Sequence, residues 1–209
     1  MWVAVNNCER KIGIHRIRSL NDARGPSTRW AQVPGTLIRS SPQMKCLCIT
    51  RVESIKQDPA WYNGNYTAQP PSLRVANAMF STATSGGTLA YQASAPTRAL
   101  ADKLVDERLN APQTADANDF IYQWQSSADF NAAPGLSKIQ APVLAINAAD
   151  DERNPPETGT LQTSPKQIKD ARLFLIPASV DTRGHGTTGN ARFYASELAA
   201  FMKETEKKR

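Results

Sequence analysis

The chain has 209 residues, 40% hydrophobic and 21% charged, which suits a globular protein with one sizeable core and leaves little room for two. No apolar run approaches the roughly 20 residues of a membrane helix, so no membrane span is expected. The formal charge of +6 is uneven: residues 1–51 carry nine Lys/Arg against two Asp/Glu, and residues 52–209 sixteen against seventeen.

The first quarter reads poorly as structure. Ile12, Ile14 and Ile17 hint at a short strand or helix, and then Arg, Ser, Pro and Gly interrupt every run. Residues 1–10 contain no apolar stretch of a secretory leader. A basic arm can meet nucleic acid or anionic lipid, but no motif and little aromatic interleaving accompany this one, so no nucleic-acid partner is expected. Cys8, Cys46 and Cys48 give neither a disulfide framework nor a zinc spacing, and no metal or cofactor is expected.

From about Val52 the texture changes. The segment 57–71 is turn-rich, with Trp61, Tyr62 and Tyr66. Residues 73–83 predict a helix with Leu73, Ala76, Met79, Phe80 and Ala83 along one side, ended by "TSGGT". Thr97 predicts a cap for a helix through Leu109, whose buried stripe would be Leu100, Leu104 and Val105. Thr114 predicts another cap, ahead of Ala117, Phe120, Ile121 and Trp124. A strand–helix–strand–helix pattern follows. "APVLAINA" and "RLFLIPA" are continuous apolar runs of the kind buried in parallel sheets. Between them residues 164–171 predict a short helix capped by Ser164, and a final helix runs from about Thr188 to Lys207. The order implies adjacent parallel strands at 142–148 and 172–178.

Reactive groups in open parallel sheets sit just past the C-terminal ends of strands. Asp150 and Asp151 follow the first apolar run, and His185 follows the second, in "SVDTRGHGTTG". Acid, then histidine before the last helix, is the chain order of an α/β-hydrolase triad. The histidine takes and returns a proton, and the carboxylate fixes its tautomer. Taken singly, each residue is as well read as a turn former or a loop residue; the paired placement is what points to chemistry.

Five segments, "DPAWYNGNYTAQPP", "TRALADKLVDERL", "TADANDFIYQW", "APGLSKIQAPVLAINAADDERNPPE" and "LIPASVDTRGHGTTG", resemble the α/β-hydrolase proteins related to homoserine O-acetyltransferase, across about residues 52–209. The resemblance implies an incomplete α/β-hydrolase fold, parallel strands with flanking helices, plus a helical cap over about residues 55–135. It favours Asp151 as the acid, because that residue stands four before Pro155, and it places His185 on the catalytic histidine. It implies a small-molecule ester or acyl donor as substrate. The family's nucleophile elbow has no counterpart, since no G-x-S-x-G occurs anywhere in the chain. Ser85, in "TSGGT", is the best local substitute, though it follows a helix rather than a strand.

Two functions from different classes follow. One is an acyl-transfer enzyme, either an ester hydrolase or an O-acyltransferase, of whose Ser-Asp-His triad this chain carries the acid and histidine. The other is an inactive truncated or frame-shifted fragment, with residues 1–51 a flexible basic tail or non-native sequence. A soluble, cytoplasmic protein is the default expectation, with export and oligomeric state left open.

Overall fold

The computed structural model describes residues 2–5, 42–126, 128 and 131–207. The hint at Ile12 to Ile17 and the position of Cys8 lie outside these residues. Three strands form one parallel sheet in the order β1 (Trp2–Val5), β2 (Val143–Ala148), β3 (Ala171–Ile176). Val143 is in register with Ala171, and Ala148 with Ile176. The two apolar runs are therefore adjacent parallel strands, as their sequence implies. They are not equally buried. All six residues of central β2 are buried, whereas in β3, on the sheet edge, only Ile176 is.

One face of the sheet is covered by α7 (Ala195–Lys207). Tyr194 and Phe201, with half-buried Phe193 and Leu198, pack on Leu144, Ile146, Ala148, Phe174 and Ile176. Burying an aromatic ring such as that of Phe201 contributes about 2–3 kcal/mol. Arg172 of β3 straps the helix down through ion pairs with Glu197 and Glu204. The helix begins later than its apolar spacing implies. Residues Gly184–Gly189 and Ala191–Phe193 form 3₁₀ turns instead. Local side-chain bonds compete with the helix there: the Arg183 amide donates to Thr187 Oγ1, and the Arg192 amide to Asn190 Oδ1.

The helices between β1 and β2 form a second body of structure. It comprises α1 (Pro42–Lys56), α2 (Pro71–Thr84), α3 (Thr88–Ser94), α4 (Arg98–Asn110) and α5 (Ala117–Gln125). Its core joins Val52 and Ile55 of α1, Leu73 and Ala76 of α2, and Ala117, Phe120 and Ile121 of α5. The structure differs from the sequence reading at several points. The boundary placed at residue 52 falls inside α1, and β1 also belongs to the segment read as unstructured. Buried Arg51 explains why α1 lacks an obvious apolar stripe: its guanidinium lies 3.9–4.6 Å from the ring centroids of Phe80, Phe120 and Trp124. The cap of α5 is Asp116 rather than Thr114, and its carboxylate accepts from the Asn118 and Asp119 amides. The α4 stripe is uncovered, since Leu100 and Val105 are exposed, although Thr97 does cap that helix. Between the strands, α6 (Thr160–Thr163) and a 3₁₀ turn at Pro165–Gln167 replace the single helix expected there, and Ser164 makes no side-chain cap.

Candidate functional site

Three consecutive carboxylates leave the end of β2, and the loop after β3 folds over them. The Asp151 oxygens lie 3.1 and 3.2 Å from His185 Nδ1. Both side chains are buried, Asp151 at 1% exposure and His185 at 2%. The same carboxylate accepts from the Arg153 amide at 2.8 Å, the Asn154 amide at 3.0 Å and Asn154 Nδ2 at 3.3 Å. Burial pushes the Asp151 carboxyl up, but the His185 ring and the Asn154 donors outweigh it and hold the group below its ordinary value. His185 Nε2 is buried and has no hydrogen-bond partner among the described residues.

Asp150 does not face the ring. Its Oδ2 accepts from Thr182 Oγ1 at 2.7 Å and from the Gly184 amide at 3.3 Å. Glu152 turns toward the helices: Oε1 accepts from the Gly87 amide at 2.7 Å, and Oε2 from the His185 amide at 3.3 Å. Two glycines make this contact possible. Gly87 and Gly184 have φ of 71° and 51°, and a Cβ on either would run into the Asp150 or Glu152 carboxylate respectively. Sequence reasoning singled out neither Glu152 nor Arg153. A run of three acids after a strand signals a site, but it does not show which face each occupies.

Ser85 closes α2 beside this cluster, where its hydroxyl accepts from Arg153 Nη2 at 2.9 Å. It makes no bond to the His185 ring among the described residues. Among the described residues no group of three metal-ligating side chains occurs, and no helix is long and apolar enough to cross a membrane. Cys46 is exposed and Cys48 partly exposed.

Parallel strands with an acid after one, a histidine after the next and a closing helix define an α/β-hydrolase fold, here an incomplete one, and solved structures agree. The homoserine O-acetyltransferase from Bacillus anthracis superposes with a TM-score of 0.64 at 20% identity, covering 78% of this chain and 50% of that one. Esterase E22 gives 0.62 at 20% identity, over 78% and 51%. The acetyl esterase MekB gives 0.58 at 21% identity, over 84% and 54%. The chain thus spans about half the length of the solved structures it matches. No family model and no curated protein matches the sequence.

Proposed function

We propose that Asp151 and His185 are the acid and base of a serine-type acyl-transfer centre acting on a small ester or acyl donor. The observation that carries this reading is the buried Asp151–His185 Nδ1 contact combined with an unbonded Nε2. With Asp151 holding the proton on Nδ1, Nε2 is the basic nitrogen and accepts the proton of an attacking hydroxyl. The carboxylate then stabilises the imidazolium, and the ring returns the proton to the leaving group. Water as second acceptor gives ester hydrolysis, and an alcohol gives O-acyl transfer. The esterases and homoserine O-acetyltransferases of the same fold support this class of chemistry.

The hydroxyl itself is the missing member. The sequence has no G-x-S-x-G, and none of the described hydroxyls bonds Nε2. The 209-residue chain by itself is therefore proposed to lack turnover, because triad members act as a unit whose loss costs on the order of a millionfold. In this reading the helices of about residues 55–135 are a cap. The support is that Glu152 and Arg153 bond the Ser85–Gly87 turn, and Glu152 also bonds the His185 amide.

The test is a burst assay with an activated acetyl ester, on the chain and on His185→Ala. No acyl-enzyme burst is expected from either. A stoichiometric burst that vanishes in His185→Ala would show that a nucleophile is present after all, and Ser85 would be examined first.

A further inference from the structure

Beyond Asp151, one carboxylate touches both the histidine loop and the helices. Glu152 accepts the Gly87 amide at 2.7 Å through one oxygen and the His185 amide at 3.3 Å through the other. Residues 65 and 33 positions away are thereby held by a single side chain. Backbone amides at such a distance in sequence are ordinarily satisfied within their own element or by water, so a carboxylate shared between two of them is a fixed strut.

The surroundings leave the strut little freedom. Gly87 and Gly184 both adopt left-handed backbone, and the space of a Cβ at Gly87 is taken by Asp150 Oδ2 and the Gly184 amide. At Gly184 the same space is taken by Glu152 itself. Arg153, the next residue, donates to Ser85 Oγ at 2.9 Å, so two adjacent side chains grip the two ends of the Ser85–Gly87 turn. Asp150 ties down the start of the histidine loop through Thr182 and Gly184.

We infer that Glu152 is a positioning residue that couples the α2–α3 turn to the His185 backbone, so that displacement of these helices moves the ring off Asp151. This rests on the acid–base role proposed above for His185. It assigns the helices a means of acting on the site besides lining it. A shift of the turn by a bound molecule changes the Gly87–Glu152 bond, which changes the hold on the His185 amide and with it the Nδ1–Asp151 contact.

The experiment is NMR on the 209-residue chain with Glu152→Gln, Glu152→Ala and Gly87→Ala. The readouts are solvent exchange of the Gly87 and His185 amides and the shift of the His185 Nδ1 proton. Loss of a hydrogen bond to a charged acceptor predicts faster exchange, by about tenfold or more, at both amides in Glu152→Ala. Glu152→Gln keeps one acceptor oxygen and predicts an intermediate effect. Gly87→Ala, whose methyl would meet Asp150 Oδ2 and the Gly184 amide, pushes the histidine loop directly and serves as the positive control for a displaced Nδ1 proton signal. Ile121→Val, a mild destabilisation in the α5 core, predicts no displacement. An unchanged His185 ring signal in Glu152→Ala overturns the inference, and so does a comparable displacement in Ile121→Val. If the wild-type chain itself shows no Nδ1 proton bonded to Asp151, the proposed acid–base role fails instead.

Discussion

Replacing Asp151 with Asn changes one atom and tests the electrostatics of the pair. The Asp151 carboxylate, 1% exposed, accepts from two backbone amides, from Asn154 Nδ2 and from the His185 ring. The Asn oxygen can keep the Arg153 and Asn154 amides at Oδ1, but its NH₂ then faces Asn154 Nδ2, donor against donor, and His185 Nδ1 meets it as a partner only by giving up its proton to Nε2. One charge-assisted bond is lost, at about 1.5–3 kcal/mol, and a buried donor is left unpaired at about 1 kcal/mol more. The expected cost is about 3 kcal/mol at neutral pH, a fall of roughly 6–12 °C in Tm for a domain of this size. The cost depends on pH in a defined direction. The Asp151 carboxyl is held below the ordinary aspartate value of about 3.9 in the folded chain. Its contribution is therefore complete above that value and fades as pH falls through the lower, folded-state value. Wild type and Asp151→Asn should differ most at neutral pH, begin to converge only below about pH 4 and meet once pH has fallen through the lower, folded-state value. Urea unfolding at several pH values measures this. Equal stability at pH 7, or a gap that persists unchanged into acid, would refute the reasoning.

Arg51→Ala should destabilise the helical body by about 3 kcal/mol, since it removes a buried cation from three aromatic faces and the packing of its stem. Arg51→Met should recover part of that loss, and chemical denaturation of the three chains distinguishes charge from bulk. Asp116→Ala removes the α5 cap and the acceptor of Tyr66 Oη (2.6 Å) and Gln69 Nε2 (2.8 Å), and should cost about 1–2 kcal/mol by the same assay. The Tyr66 and Gln69 bonds hold the Asp116 carboxyl below its ordinary value, so the effect of that substitution should also shrink in acid.

The sheet was legible because Val143–Ala148 is apolar but for Asn147, a run that suits a strand buried on both faces. The candidate site was legible as a position: an acid after one strand and a histidine after the next. Which aspartate meets the ring was not decided by periodicity, since Asp150 and Asp151 are neighbours and point to opposite sides of the loop. The rest was hidden for physical reasons. Arg51 is buried by aromatic rings contributed from α2 and α5, so nothing local to α1 marks it as core. Leu100 and Val105 keep helical spacing but are exposed among the described residues, so amphipathicity in α4 did not translate into burial. The 3₁₀ turns at Gly184–Gly189 depend on Thr187 and on the Asp150 and Glu152 carboxylates, contacts made only in the folded chain. Glu152 reads as one more surface acid until Gly87, 65 positions away, is brought to it.

The most direct test of the central claim is the tautomer of His185, read by ¹⁵N–¹H correlation of its ring at about pH 9, where histidine is ordinarily neutral. The account predicts a proton on Nδ1, facing Asp151, and a bare Nε2 ready to accept one, with the proton moving to Nε2 in Asp151→Asn. A wild-type ring protonated on Nε2 would leave no base where an attacking hydroxyl needs it, and would contradict the assignment of Asp151 and His185 to acyl-transfer chemistry.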